Sequence, residues 1–320
     1  MSQLDFSTPK VVALGGGHGL AATLSALRQL THQITAIVTV ADNGGSSGRL
    51  REEFEILPPG DLRMALTALC SDDDWGRSWA EILQYRFTSE GHLNQHTVGN
   101  LLLTALWDRD GDFVAGLDRV GSLLRVIGRV LPMAAEPLDI EGTFQTNIGR
   151  IVVRGQKEVA TAKGKLESIR IIPENPPARP EALRAIEGAD YITMGPGSWL
   201  TSVLPHLMVP AQREALSASK AKKIILLNLD AHPSFASIEE FAGYTPEEHL
   251  KLLNQYAPSL RFDYVIADQS SKGENLEALV EGYGGKLILS DLRRSPGAIY
   301  HDVAKLNSVF RHIFEEIRVE

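Results

Sequence analysis

Five polar or glycine-rich stretches carry the residues of this chain that are suited to chemistry. The first, Gly15-Gly16-Gly17-His18-Gly19, follows the apolar run Val11–Leu14 and precedes Leu20, so it reads as a loop between a buried strand and a helix. A residue without Cβ lets the backbone turn sharply and come close to a ligand. The N–H groups at the start of the following helix, together with its dipole, favour an anion over the loop. Gly17-x-Gly19-x-x-Ala22 fits the dinucleotide fingerprint with Ala in third place, and Asp42 falls where an acidic residue meets a ribose. The alternative is a tight turn with no ligand.

The second stretch is Asp42-Asn43-Gly44-Gly45-Ser46-Ser47-Gly48-Arg49, read as a loop after the second strand. Its hydroxyls, free backbone N–H groups and Arg49 suit phosphate or sugar oxygens; a plain polar turn is the alternative. Ser46 is disfavoured as a covalent nucleophile because no base lies near it in the sequence. In the third, Leu57-Pro58-Pro59-Gly60-Asp61-Leu62-Arg63, Asp61 either caps the next helix or aims a carboxylate into a cleft as metal ligand or base. The fourth runs from His92 to Asn100. His92 and His96 are spaced to share a helix face, but no glutamate completes a zinc pattern, so His96 and Asn100 read as hydrogen-bonding groups for a ligand. The fifth, Gly195-Pro196-Gly197-Ser198 with Thr201 and Ser202, is a second strand-to-loop element suited to an anion.

The elements that must position these stretches follow from patterning. Lys10–Leu14 and the β-branched run Ile34–Val40 read as parallel strands buried on both faces, with helix Leu20–Leu30 between them. Helices are expected at Asp61–Leu69, Trp79–Phe87 (after a solvated acidic turn, Ser71–Asp74), Val98–Trp107 and Phe113–Gly128. Residues 130–172 form short β-rich pieces, read as an antiparallel insertion at one sheet edge. Alternation then resumes with helix Pro180–Glu187, strand Tyr191–Met194, a helical stretch near Val209–Ser219 and strand Lys223–Leu229. Helix Pro246–Gln255, strands Tyr264–Ala267 and Lys286–Leu289, and a last helix from Asp302 complete it. The expectation is an α/β chain: one Rossmann-like, doubly wound, mostly parallel sheet domain over 1–320, with ligands outside the carboxyl ends of the strands.

Composition narrows the classes. The chain has 320 residues, 43% hydrophobic and 22% charged, with a net charge of -8. That is ordinary for a globular protein and gives no broad basic surface for nucleic acid. The single cysteine, Cys70, excludes an internal disulfide and a multi-cysteine metal site. The N-terminus does not read as a signal peptide, and no apolar run approaches the roughly 18 residues of a membrane span. A soluble cytoplasmic protein is expected, with no membrane insertion and with self-association into a homo-oligomer left open.

Taken together, the motifs resemble the CofD/YvcK family, and most closely its YvcK branch, the gluconeogenesis factors. The residues that carry the resemblance are Gly15–Gly19, the run Thr35–Arg51, Pro58-Pro59-Gly60-Asp61-Leu62-Arg63, His96–Leu102, Gly195–Ser198 with Thr201-Ser202, and Val209-Pro210. The resemblance implies a Rossmann-like protein that binds a UDP-sugar such as UDP-N-acetylglucosamine and is linked to gluconeogenic growth, cell-wall supply and cell shape. The CofD branch is similar in fold and transfers a phospholactyl group to a deazaflavin precursor, using a guanylylated donor and a divalent metal. Against the branch's usual pattern, His18 stands for Thr, Asn43 for Asp and Met64 for Asn, and Asn228-Leu229-Asp230-Ala231-His232-Pro233 replaces a Gln/Gly/Glu-containing stretch.

The expected ligand set is therefore Gly15, Gly16, Gly17, His18, Gly19, Asp42, Asn43, Gly44, Gly45, Ser46, Ser47, Arg49, Asp61, Arg63, His96, Asn100, Gly195, Pro196, Gly197, Ser198 and Asn228. The leading expectation is a regulatory nucleotide-sugar-binding protein. The second is a CofD-like transferase in which Asp42 and Asp61 hold magnesium. A third, an NAD-dependent dehydrogenase, fits the first fingerprint alone, since no catalytic set in a separate substrate domain accompanies it.

Overall fold

The computed structural model describes residues 8–229 and 245–316. Its elements in chain order are β1 (Val11–Gly15), α1 (Gly17–Leu27), β2 (Ile34–Val38), α2 (Gly45–Phe54), α3 (Pro59–Ala68), α4 (Asp74–Gln84), α5 (Val98–Asp110) and α6 (Phe113–Leu124). Next come β3 (Arg129–Pro132), β4 (Asp139–Thr146), β5 (Gly149–Arg154), α7 (Gln156–Thr161), β6 (Lys165–Ile172), α8 (Pro180–Glu187), β7 (Tyr191–Met194), α9 (Pro205–Met208) and α10 (Pro210–Ala218). The described chain closes with β8 (Lys222–Leu226), α11 (Pro246–Tyr256), β9 (Tyr264–Asp268), α12 (Glu274–Gly282), β10 (Lys286–Ser290) and α13 (Val303–Glu316).

Seven strands form one sheet in the order β10-β9-β8-β7-β1-β2-β3, and every neighbouring pair is parallel. Renumbered within the sheet this is the 3-2-1-4-5-6 Rossmann order with one strand added. β1 sits where the order reverses, with Val11 opposite Ile34 on one side and Tyr191 on the other. Strands covered on both faces must be apolar throughout, and β1 and β7 are buried at every position. The crevice of a doubly wound sheet opens at that reversal, beyond the carboxyl ends of β1 and β7.

The antiparallel region is a three-stranded sheet, β5-β4-β6, closed on the core by Ile140, Phe144, Ile169 and Ile171. The strand at its start, Arg129–Pro132, pairs parallel with β2 in the main sheet, so the antiparallel pieces begin at Asp139. Other boundaries move for identifiable reasons. The acidic turn before Trp79 is a cap: Asp73 accepts from the Gly76 N–H at 2.7 Å, which starts α4 at Asp74. Helix α6 stops at Leu124 because Arg125 takes a left-handed φ of 53°. α12 is an element the periodicity did not suggest. Among the described residues, no helix is long and apolar enough to cross a membrane.

Candidate functional site

The first loop is built as its glycines require. Gly16 is extended and precedes α1 without a side-chain cap, so the first-turn N–H groups of α1 face the crevice. Gly17 has φ 57°, a conformation that side chains rarely adopt. A Cβ at Gly16 would lie 2.5 Å from Thr39 Cγ2 and 2.6 Å from Asp61 Oδ2. One at Gly19 would lie 2.2 Å from the Pro196 carbonyl oxygen. The loop after β1, Asp61 on α3 and the loop after β7 therefore meet in one place. His18, exposed, stands in the first turn of α1.

Beneath this loop lies a pair the sequence reading missed. The His206 ring is fully buried, with Nε2 3.3 Å from the Gly15 carbonyl and Nδ1 2.8 Å from Gln212 Nε2. The Gln212 amide donates to Nδ1, which leaves the ring proton on Nε2 to bond Gly15. Burial pushes His206 down to about 4, so the ring is neutral and holds one tautomer.

The second stretch departs from a loop after Gly44: Gly45 starts α2, so Ser46, Ser47 and Arg49 stand on helical turns. Several expected ligand groups are already engaged with protein partners. Ser47 Oγ accepts from the Gly60 N–H at 3.0 Å, and Asp42 Oδ1 accepts from the Gly44 N–H at 2.8 Å. Asn43 Oδ1 accepts from the Gln156 N–H at 3.0 Å, capping α7 of the inserted region. Arg49 donates to the carbonyls of His92 and Asn94 and so pins the turn over residues 89–95. His92 and His96 do not share a helix, because α5 begins at Val98 behind the Thr97 cap. Gly45, Arg49, His92, Asn94 and Gln95 line an open cavity of about 660 Å³.

A buried chain joins the second, third and fourth stretches. Arg63 Nε donates to Asn100 Oδ1 at 3.0 Å, Asn100 Nδ2 donates to Ser46 Oγ at 3.0 Å, and Ser46 lies 2.9 Å from His96 Nδ1. With Asn100 donating, the Ser46 hydroxyl is placed to donate to His96, whose pKa is lowered by burial and then by Arg49. The expectation that Ser46 lacks an adjacent base is thus corrected: folding brings one from fifty positions away. Ser46 is only 5% exposed, and the chain clasps α2 to α5.

Asp61 is not a helix cap. Pro58 holds the N-cap position of α3, and Asp61 Oδ2 is buried without a hydrogen-bond partner. Burial, and then the neighbouring Asp42 carboxylate, push Asp61 up to about 7; the Gly17 N–H and Arg63 oppose this. Asp42 is also raised by burial, against the Gly44 N–H, Ser47 and Arg51. The two carboxylates whose separation the sequence left open are electrostatic neighbours.

The loop after β7 completes the crevice. Gly195 and Gly197 have φ of 82° and 137°, and Asn228 holds Gly197 by both backbone groups, each at 2.9 Å. Thr23 Oγ1 donates to the Gly195 carbonyl, and half-buried Ser198 leads into a π-helical turn, Trp199–Val203. Of the divergent segment noted from the sequence, Asp230–Pro233 lies outside the described residues.

This arrangement is matched by known proteins. The family model described as 2-phospho-L-lactate transferase CofD matches residues 11–294. The chain belongs to the CofD family. A Mycobacterium tuberculosis protein named "Putative gluconeogenesis factor" is 46% identical over 312 residues, covering 94% of this chain and 89% of that protein. The "Gluconeogenesis factor" of Listeria innocua is 34% identical over 268 residues, 84% of this chain and 80% of that protein. A crystal structure of a UPF0052 family member from Bacillus halodurans superposes with a TM-score of 0.80 at 30% identity, covering 95% of this chain and 99% of that one. The CofD-family fold is therefore shared from β1 through β10, and the match spans every stretch of the candidate site.

Proposed function

We propose that this CofD-family chain binds a nucleoside diphosphate of the nucleotide-sugar class, with UDP-N-acetylglucosamine the expected member, as a cytoplasmic regulatory sensor linked to gluconeogenic growth, cell-wall supply and cell shape. One observation carries the reading. The first-turn N–H groups of α1 face a crevice at the strand-order reversal, walled on its other side by the loop after β7 that Asn228 holds at Gly197, while the Ser46, Ser47 and Arg49 side chains are committed to protein partners. Backbone that suits a diphosphate, with these three side chains already engaged, fits binding better than turnover. The names of the relatives support the link to gluconeogenic growth.

The Asp42–Asp61 pair favours a second reading, metal-dependent transfer of a phosphorus-containing group from a nucleotide donor. The fit to magnesium rests on the orphaned Asp61 Oδ2 and on the mutual repulsion of two buried carboxylates. Magnesium is commonly held by one or two carboxylates with water and substrate phosphates, and among the described residues no larger cluster of ligating side chains competes with the pair. When bound, the ion would neutralise charge on a phosphate; the chain's own part is to hold the Asp61 carboxylate facing Gly16 and Gly17, with Asp42 as its electrostatic neighbour beside Gly44 and Gly60.

Calorimetric titration with UDP-N-acetylglucosamine, GDP and NAD, each with and without magnesium, separates the readings. Selective binding of the UDP-sugar with no product supports the sensor. Magnesium-dependent binding of GDP in preference to the UDP-sugar moves the assignment to the transferase, and selective NAD binding defeats both.

A further inference from the structure

The chain between β10 and α13, residues 291–302, leaves the far edge of the sheet and returns to α1. It is a fixed hairpin. Arg293 and His301 form an antiparallel bridge, the Arg294 N–H bonds the Tyr300 carbonyl at 3.4 Å, and the Asp302 N–H bonds the Leu292 carbonyl at 2.8 Å. The Leu292 N–H bonds buried Asp268 at 2.9 Å, and the Arg293 guanidinium reaches the Ala298 and Leu229 carbonyls. His301 is buried and donates to the Leu227 carbonyl, and Asn307 on α13 bonds the Ala26 carbonyl of α1 at 2.9 Å. The hairpin is thus tied to the carboxyl ends of β8 and β9 at one end and, through α13, to α1 at the other.

On this rigid support two apolar side chains face solvent: Ile299 is 45% exposed and Tyr300 57%. The Tyr300 ring centroid lies 6.2 Å from that of His18, the residue that follows Gly17 in the first turn of α1, with the rings inclined at 53°. Apart from this tilted contact with His18, the Tyr300 ring stays more than half exposed at the rim of the diphosphate crevice. Because the backbone beneath it is already ordered, a ring laid on it incurs little further loss of conformational freedom.

We infer that Tyr300, with His18 at its edge, is the platform on which the planar base of the nucleoside-diphosphate ligand stacks. This rests on the reading of the crevice given under the proposed function. The diphosphate takes the first-turn N–H groups of α1, and the base reaches past His18 to Tyr300. Stacking on an open ring selects for any base, not one in particular, because every base offers a π-face.

The test is titration of wild type, Y300A and Y300F, with magnesium, against UDP-N-acetylglucosamine, UDP and inorganic pyrophosphate. The expected result is that Y300A weakens UDP and UDP-N-acetylglucosamine alike by about 5- to 100-fold, the usual range for a lost base–aromatic stack, with pyrophosphate affinity unmoved. Y300F, which keeps the ring, restores the binding. Wild-type affinity of Y300A for UDP overturns the platform, as does a loss confined to UDP-N-acetylglucosamine, which would place the sugar on Tyr300. An equal loss of pyrophosphate binding reports a disturbed crevice and also overturns it. Failure of wild type to bind either UDP ligand defeats the proposed function, and the platform with it.

Discussion

Replacing Gly19 by alanine tests whether the backbone contact between α1 and the loop after β7 makes the crevice. The added Cβ would lie 2.2 Å from the Pro196 carbonyl oxygen, 2.5 Å from its carbon and 2.8 Å from the Gly197 nitrogen. These are backbone atoms, and Asn228 grips Gly197 from behind, so no side chain can swing aside. The helix and the loop must part by roughly 1 Å, an overpacking that costs about 1–3 kcal/mol, partly offset by about 1 kcal/mol of alanine helix propensity. A net loss of up to about 2 kcal/mol lowers the melting temperature of a 320-residue chain by up to about 3 °C. Losing one charge-assisted hydrogen bond from the first turn of α1 weakens a diphosphate by about 10- to 100-fold. Differential scanning fluorimetry and calorimetry read the two effects. G282A, in α12, where an added Cβ meets nothing within 4 Å, is the control: it keeps the affinity and melts no lower than wild type. If G19A melts and binds as wild type does, the two elements do not form the crevice together.

The paired carboxylates predict a pH signature. Asp61 is protonated more readily folded than unfolded, so its contribution to stability is present below pH 4 and is lost as pH rises towards 7. D61N should therefore gain melting temperature over wild type at pH 8 and not at pH 4, and magnesium should stabilise wild type at pH 8 more than D61N; equal curves would show that Asp61 is not perturbed. His206, His249 and His301, pushed down by burial to about 4, 3 and 4, act in the opposite sense, losing stability as pH falls below about 6.5. Hence the difference between wild type and D61N, not either curve alone, reports the carboxylate. H206A, which strips the partner from the Gly15 carbonyl, should cost about 2–4 kcal/mol in urea denaturation and weaken UDP-N-acetylglucosamine. An unchanged midpoint would deny that His206 supports the loop. N43A should cost about 0.5–2 kcal/mol by uncapping α7, while a fully stable variant that fails to bind would make Asn43 a ligand contact instead.

Much of the scaffold was legible because its signals are local. Val11–Leu14, Ile34–Val38 and Tyr191–Met194 are apolar through and through, as strands covered on both faces must be, and Gly15–Gly19 marks the turn between the first of them and its helix. The partners of the polar residues were not legible. Ser46 finds His96 and Asn100 some fifty positions on, Asn43 finds the start of α7 more than a hundred on, and Gly15 finds His206 nearly two hundred on. Residue type announced that these groups would hydrogen-bond; whether to the protein or to a ligand depends on distances only the packed chain sets. The same holds for Asp61, whose position early in a helix suggested a cap, and whose partnerless oxygen beside Asp42 came from the way α3 meets α1. Tyr300 gave no signal at all, since a lone tyrosine between a proline turn and a helix has no periodic pattern.

A crystal structure of the protein with UDP-N-acetylglucosamine and magnesium tests the central claim most directly. The expected result is the diphosphate over the N–H groups of His18 and Gly19, between α1 and the loop after β7, with the metal between the ligand and the carboxylates of Asp42 and Asp61. A diphosphate bound elsewhere, for instance in the cavity beside Arg49 and His92, would contradict it.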